Sequence, residues 1–104
     1  MNKGKQTNGY IYVRRHISWE EYNACKLGKT INIAERDAMY ATGEIVRGHF
    51  SVIYEIPNQI LDATERLLQS EFKDLNVKRD GGTEFYDISI QILIEKCLIK
   101  YNIV

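Results

Sequence analysis

Two lysines, an arginine and a tyrosine fall close together at positions 26, 29, 36 and 40. Tyr12 precedes this stretch and Glu65 follows it. Lys26, Lys29 and Arg36 are cations suited to a phosphate. Glu65 is a carboxylate suited to a divalent metal ion, with a structural salt bridge as the equal alternative. A phenol beside ammonium groups has a lowered pKa, which would let Tyr12 take a proton. Together these groups make a set fit for cleaving a phosphodiester, provided the fold brings them to one cleft. Gly28-Lys29-Thr30 also matches the end of a nucleotide-binding P-loop. Ala24 stands where that loop needs its first glycine, so this reading is set aside.

The elements that must position these groups are readable from pattern. Residues 9–16 are rich in β-formers, with Ile11 and Val13 on one face and Tyr10, Tyr12, Arg14 and His16 on the other. The second face suits a polar cleft, so Tyr10, Arg14 and His16 are taken as substrate-binding candidates. Residues 17–23 form a connection with one helical turn capped by Ser18, since Ser18 and Glu21 fit a capping box. Trp19 in that turn is read as packing on the domain edge. Residues 24–29 form a second strand, antiparallel to the first and followed by a glycine turn into a helix. Asn32 caps this helix with Glu35 three residues on, and Gly43 stops it. Ala34, Ala38 and Ala41 form a small-residue stripe suited to close approach to a sheet, while Arg36 and Tyr40 project together.

A third strand covers residues 49–56, with Phe50, Val52, Tyr54 and Ile56 on one face, and Pro57 ends it. Residues 58–73 form a helix with Leu61, Leu68 and Phe72 inward and Glu65 amid that stripe. Asp62, Arg66, Gln69 and Lys73 take its outer face. An inward carboxylate is costly unless paired or bound to a cation, which singles out Glu65. Asp80-Gly81-Gly82 reads as a turn and residues 83–86 as a short extended segment. A last helix capped by Asp87 or Ser89 runs to about Tyr101, with Ile90, Ile94, Cys97, Leu98 and Tyr101 inward. A strand over residues 88–94 is its alternative.

The fold class is therefore α/β (α+β): a small antiparallel sheet with helices, in the order ββαβα(β)α. A chain of 104 residues holds one domain, here residues 9–104 behind a flexible lead of residues 1–8. Hydrophobic content of 44% and charged content of 27% are those of a globular protein. No apolar run spans a membrane and the first residues lack the core of a signal peptide, so a soluble intracellular protein of cytoplasm or nucleus is expected. Cys25 and Cys97 are expected reduced and buried, and with His16 and His49 they match no zinc pattern. Net charge is zero, which argues against strong nonspecific binding to nucleic acid. The basic excess lies in residues 1–50, with eight Lys and Arg against five Asp and Glu.

Tyr10-Ile11-Tyr12, then Lys26-Leu27-Gly28, then Arg36 eight residues past the glycine, then a helix with an inward Glu65, resembles the GIY-YIG nuclease superfamily. The resemblance is closest to its viral and phage branch, whose second motif reads K-I/L-G-K-T. Glu84-Phe85-Tyr86 resembles that branch's terminal E-W-F segment. The resemblance implies a three-stranded antiparallel sheet flanked by helices, in a protein that would be virus-encoded. It implies hydrolysis of DNA with one Mg²⁺ or Mn²⁺ ion, by in-line attack of water. Tyr12 matches the proposed general base. Lys26 stands where the second-motif tyrosine usually is, and Lys29 matches a lysine found after the glycine. Arg36 matches the arginine on the scissile phosphate, Tyr40 a site held by tyrosine or histidine, and Glu65 the metal-binding glutamate. No DNA-recognition domain is appended, so an oligomer, a partner or a DNA structure would supply specificity. The competing expectation is a noncatalytic DNA-binding or protein-interaction module with this fold.

Overall fold

The structure, a computed structural model, describes residues 7–77 and 84–104. The turn expected at Asp80-Gly81-Gly82 and most of the lead lie outside these residues. Four antiparallel strands form one sheet: β1 (Asn8–Arg15), β2 (Ala24–Thr30), β3 (His49–Pro57) and β4 (Phe85–Asp87), in the spatial order β3-β1-β2-β4. Helices α1 (Ile33–Ala41), α2 (Asn58–Glu71) and α3 (Ile90–Lys100) complete the α+β fold. The sheet has four strands rather than three, because the segment Phe85–Asp87 pairs with Ala24–Lys26. That pairing joins residues far apart in sequence, which pattern alone does not reveal.

One face of the sheet carries the core. Ile11 and Val13 of β1, Cys25 and Leu27 of β2, and Ile56 of β3 are buried. Leu61 and Leu68 of α2 and Ile90, Ile94 and Leu98 of α3 close over them. Each fully buried aliphatic side chain here contributes about 1.5–3 kcal/mol. The helical reading of residues 90–100 holds, and the strand alternative does not form. Tyr101, expected inward, is exposed and its hydroxyl donates to Glu71. The Asp87 carboxylate accepts from the Ser89 backbone N–H at 2.9 Å and closes the start of α3. Both cysteines are free and buried, and burial pushes the Cys25 thiol up to about 12. Among the described residues no helix is long and apolar enough to cross a membrane.

Two local departures shape the other face. β1 and β3 pair with a register shift: Val13 lies opposite Val52, but Arg14 lies opposite Phe50. Ser51 is therefore the extra residue of a bulge. The bulge turns Phe50 off the face of Val52, Tyr54 and Ile56 and onto that of Tyr12 and Arg14, against the expected alternation. α1 departs as well. Asn32 caps it as expected, accepting from the Glu35 N–H at 3.0 Å. Ala34 and Ala38 nevertheless point to solvent, and no residue of α1 is buried. The small-residue stripe is thus not the docking face.

Candidate functional site

β1 and β2 place Tyr12 directly opposite Gly28. The Tyr12 ring lies across that glycine: a Cβ built on Gly28 would stand 2.5 Å from the Tyr12 Cζ and hydroxyl oxygen. Gly28 is thus a close-approach glycine in the middle of a strand, not the turn expected at that position. The ring is 3% exposed and packs edge-on against Phe50, with centroids 5.0 Å apart. Its hydroxyl meets that of Tyr40 at 3.0 Å.

β4 pairs only with Ala24–Lys26, so the edge of β2 beyond Leu27 is left open among the described residues. A cavity of about 590 Å³ opens there. Tyr12 from β1, Lys26 and Lys29 from β2, Arg36 and Tyr40 from α1 and Glu65 from α2 all line it. Glu65 sits on the flank of α2, because Leu61, Thr64 and Leu68 take its buried face. Its side chain is 17% exposed and faces Lys29, at 3.3 Å. Lys29 also binds Asp62 at 2.6 Å, and Asp62 and Glu65 together hold its ammonium above the ordinary lysine range. Lys26 pairs with Glu84 at 3.1 Å and lies 5.2 Å from the Tyr40 ring centroid. Arg36 has no carboxylate partner among the described residues, and its Nε is buried without a hydrogen bond.

Burial is the main influence on Tyr12 and the Tyr40 hydrogen bond the next; both raise its pKa. Arg36 and Lys26 pull the other way and are outweighed. Tyr12 therefore lies above the usual phenol range, the reverse of the lowering expected from its lysine neighbours. Tyr40 is raised as well, again by burial.

Tyr10, Arg14 and His16, expected to bind substrate, do not line this cleft. Tyr10 lines a separate shallow pocket with Ile31, Ile33 and Ile53. Arg14 is fully buried and bound to Asp37 and Glu44. His16 caps the 3-10 turn Ile17–Tyr22, the role expected of Ser18. Its Nδ1 accepts from the Ser18 N–H at 3.1 Å, and its Nε2 donates to the Val46 carbonyl at 2.6 Å. Strand alternation put Tyr10 and Arg14 on the face of Tyr12 but did not say how far along it the cleft extends, and β1 ends before His16.

Gln69 and Glu84 line the cleft and were not expected there. Gln69 follows Glu65 by four residues, a spacing that places them on one helix flank. Glu84 stands just before β4 and reaches the cleft because that strand joins the sheet beside Lys26.

Fold and cleft define a small α+β domain whose open sheet edge gathers cations, two tyrosines and a recessed carboxylate. The family model of the T5orf172 domain matches residues 9–100, and the chain belongs to that phage-associated, nuclease-related family. No curated protein and no solved structure gives a significant match.

Proposed function

We propose that this chain is a divalent-metal-dependent DNA endonuclease of the GIY-YIG type. The observation that carries the reading is the convergence of Tyr12, Lys26, Lys29, Arg36, Tyr40 and Glu65 on one cleft from four elements. Arg36 has no carboxylate to compete for it among the described residues and is the natural seat for the scissile phosphate, where its guanidinium stabilises developing charge. Lys26 and Lys29 flank that seat; Lys26 exchanges Glu84, and Lys29 its Glu65 contact, for phosphate oxygens. Tyr12, with its hydroxyl on Tyr40, offers an oxygen lone pair to the attacking water and aligns it. To accept the water's proton, Tyr12 must first lose its own to solvent in the open cleft, and Arg36 and Lys26 favour that phenolate.

The donor set fits a hard divalent ion. Mg²⁺ keeps most of its waters and needs only one or two carboxylates. Among the described residues no three His, Cys, Asp or Glu converge, so Glu65 would be the protein's carboxylate for the ion. When bound, Mg²⁺ or Mn²⁺ polarises a phosphoryl oxygen and offsets charge on the leaving group. Lys29 keeps Asp62 as a partner when Glu65 is engaged.

A second reading, a noncatalytic DNA-binding or protein-interaction module, is favoured by the Lys29–Glu65 ion pair, which already neutralises the carboxylate. Incubation with supercoiled and branched DNA, with Mg²⁺ or Mn²⁺, separates the two. Metal-dependent nicking by wild type that Glu65→Ala and Arg36→Ala both lose supports the enzyme. DNA binding without nicking supports the module.

A further inference from the structure

α1 carries two of the cleft side chains, Arg36 and Tyr40, yet buries none of its residues. A surface helix ordinarily docks through an apolar stripe. This one meets the sheet beneath it through the Tyr12–Tyr40 hydroxyl contact and through Arg14, whose ion pairs reach both α1 and the turn after it. Arg14 of β1 is 0% exposed. Its Nη1 donates to Asp37 of α1 at 3.0 Å. Its Nη2 and Nε donate to the two carboxylate oxygens of Glu44, just past the end of α1, at 2.7 and 3.4 Å. Its planar face lies 4.2 Å from the Tyr40 ring centroid and 4.8 Å from that of Phe50. The bulge at Ser51 is what brings Phe50 to this position. Arg47 holds Asp37 from outside at 2.6 Å.

We propose that Arg14 is the positioning residue of the cleft. It docks α1 on the sheet and so fixes the Tyr40 hydroxyl and the Arg36 guanidinium relative to Tyr12 and Glu65. The docking stands on these contacts alone; its catalytic consequence rests on the nuclease reading above. Lysine cannot take the same place, because one ammonium cannot reach two carboxylates and also stack a flat face on Tyr40. An aliphatic side chain cannot either, since α1 offers no apolar stripe to meet it.

The test uses the full chain with Arg14→Lys, and with Arg14→Met combined with Glu44→Gln, which leaves no unpaired Glu44 carboxylate in the interior. Native-state amide hydrogen exchange reads the docking. Protection of amides 37–41 is expected to fall at least tenfold more than that of β1 and β2 in both variants. A double-mutant cycle on nicking reads the positioning: Tyr40→Phe costs less in the Arg14→Lys background than in wild type. Uniform loss of protection across the chain, unchanged protection of α1, or additive effects in the cycle would overturn the proposal. If wild type does not nick DNA, the nuclease reading falls, and the exchange measurement alone decides whether Arg14 docks α1.

Discussion

Gly28 has no room for a methyl group beneath the Tyr12 ring. Gly28→Ala must push a ring already wedged against Phe50 and Tyr40. Overpacking of this kind costs about 1–3 kcal/mol. The expected outcome is a folded protein, by circular dichroism and thermal melting, that has lost at least tenfold of its nicking rate. The Tyr12 hydroxyl carries a second expectation. Burial and the Tyr40 bond raise its pKa above the ordinary phenol value, so the phenolate is a minor species near neutrality. If that phenolate is the base, the log of the single-turnover nicking rate rises with unit slope from pH 6 to 9, and a plateau in that range contradicts it. The same shift acts on stability. A proton that Tyr12 holds more tightly folded than unfolded stabilises the fold fully below about pH 10, and this contribution is lost as pH rises through the raised folded value. Denaturant melts between pH 8 and 11 check the direction, and Tyr12→Phe should flatten the decline. None of this was legible from Tyr12, Lys26 and Lys29 as letters. The sequence showed a phenol near cations, whereas depth of burial decides the sign.

At the scale of elements, β1, β2, α2 and α3 followed their periodicities closely, because one face of each meets a single apolar core. α1 was legible in its cap, Asn32, and in its i, i+4 pair, Arg36 and Tyr40. Its docking face was not, because a buried arginine makes the contact that alanines were expected to make. Phe50 was misplaced for a different reason: an inserted bulge residue leaves no mark on an alternating pattern. The Arg14 network predicts an acid response. Arg47 and then Arg14 hold Asp37 below the usual carboxylate range. Burial pushes Glu44 up, but the Arg14 hydrogen bonds and the Gly48 N–H outweigh it and leave Glu44 lowered too. Carboxylates depressed in the folded state stabilise it above about pH 4, and that contribution is lost as pH falls through their folded values. Protection of α1 amides, corrected for their intrinsic exchange, is therefore expected to fall below about pH 4, before that of the core strands. Equal loss of protection everywhere contradicts the local network. The groups facing one another there are Arg14, Asp37, Glu44, Arg47 and His16.

For the molecule as a whole, the α+β class, the core, the extended segment before the last helix and the gathering of six residues at one cleft were readable, while the pairing of that segment as β4 and the reach of Glu84 were not. A three-residue strand paired across sixty positions leaves almost no local signal. The core sets the stability: Leu68 is fully buried, and Leu68→Ala is expected to cost about 2–5 kcal/mol. That lowers the melting temperature by at least about 8 °C in a domain of this size. Net charge is zero, and two of the three cleft cations are already paired with carboxylates. Binding to DNA should therefore be modest. With Lys26, Lys29 and Arg36 as the phosphate contacts, the slope of log affinity against log salt should be roughly −3. A slope several times steeper would mean that a different face binds DNA.

In the proposed enzyme, Glu65 holds the metal on which nicking depends. The most direct measurement is single-turnover nicking of a branched DNA at saturating protein, with and without Mg²⁺, for wild type and Glu65→Gln, alongside DNA binding of both. Wild type is expected to nick only with the metal, and Glu65→Gln to lose at least a hundredfold while its affinity for DNA stays within a few fold. Metal-independent nicking, or equal nicking by Glu65→Gln, would overturn the role given to Glu65.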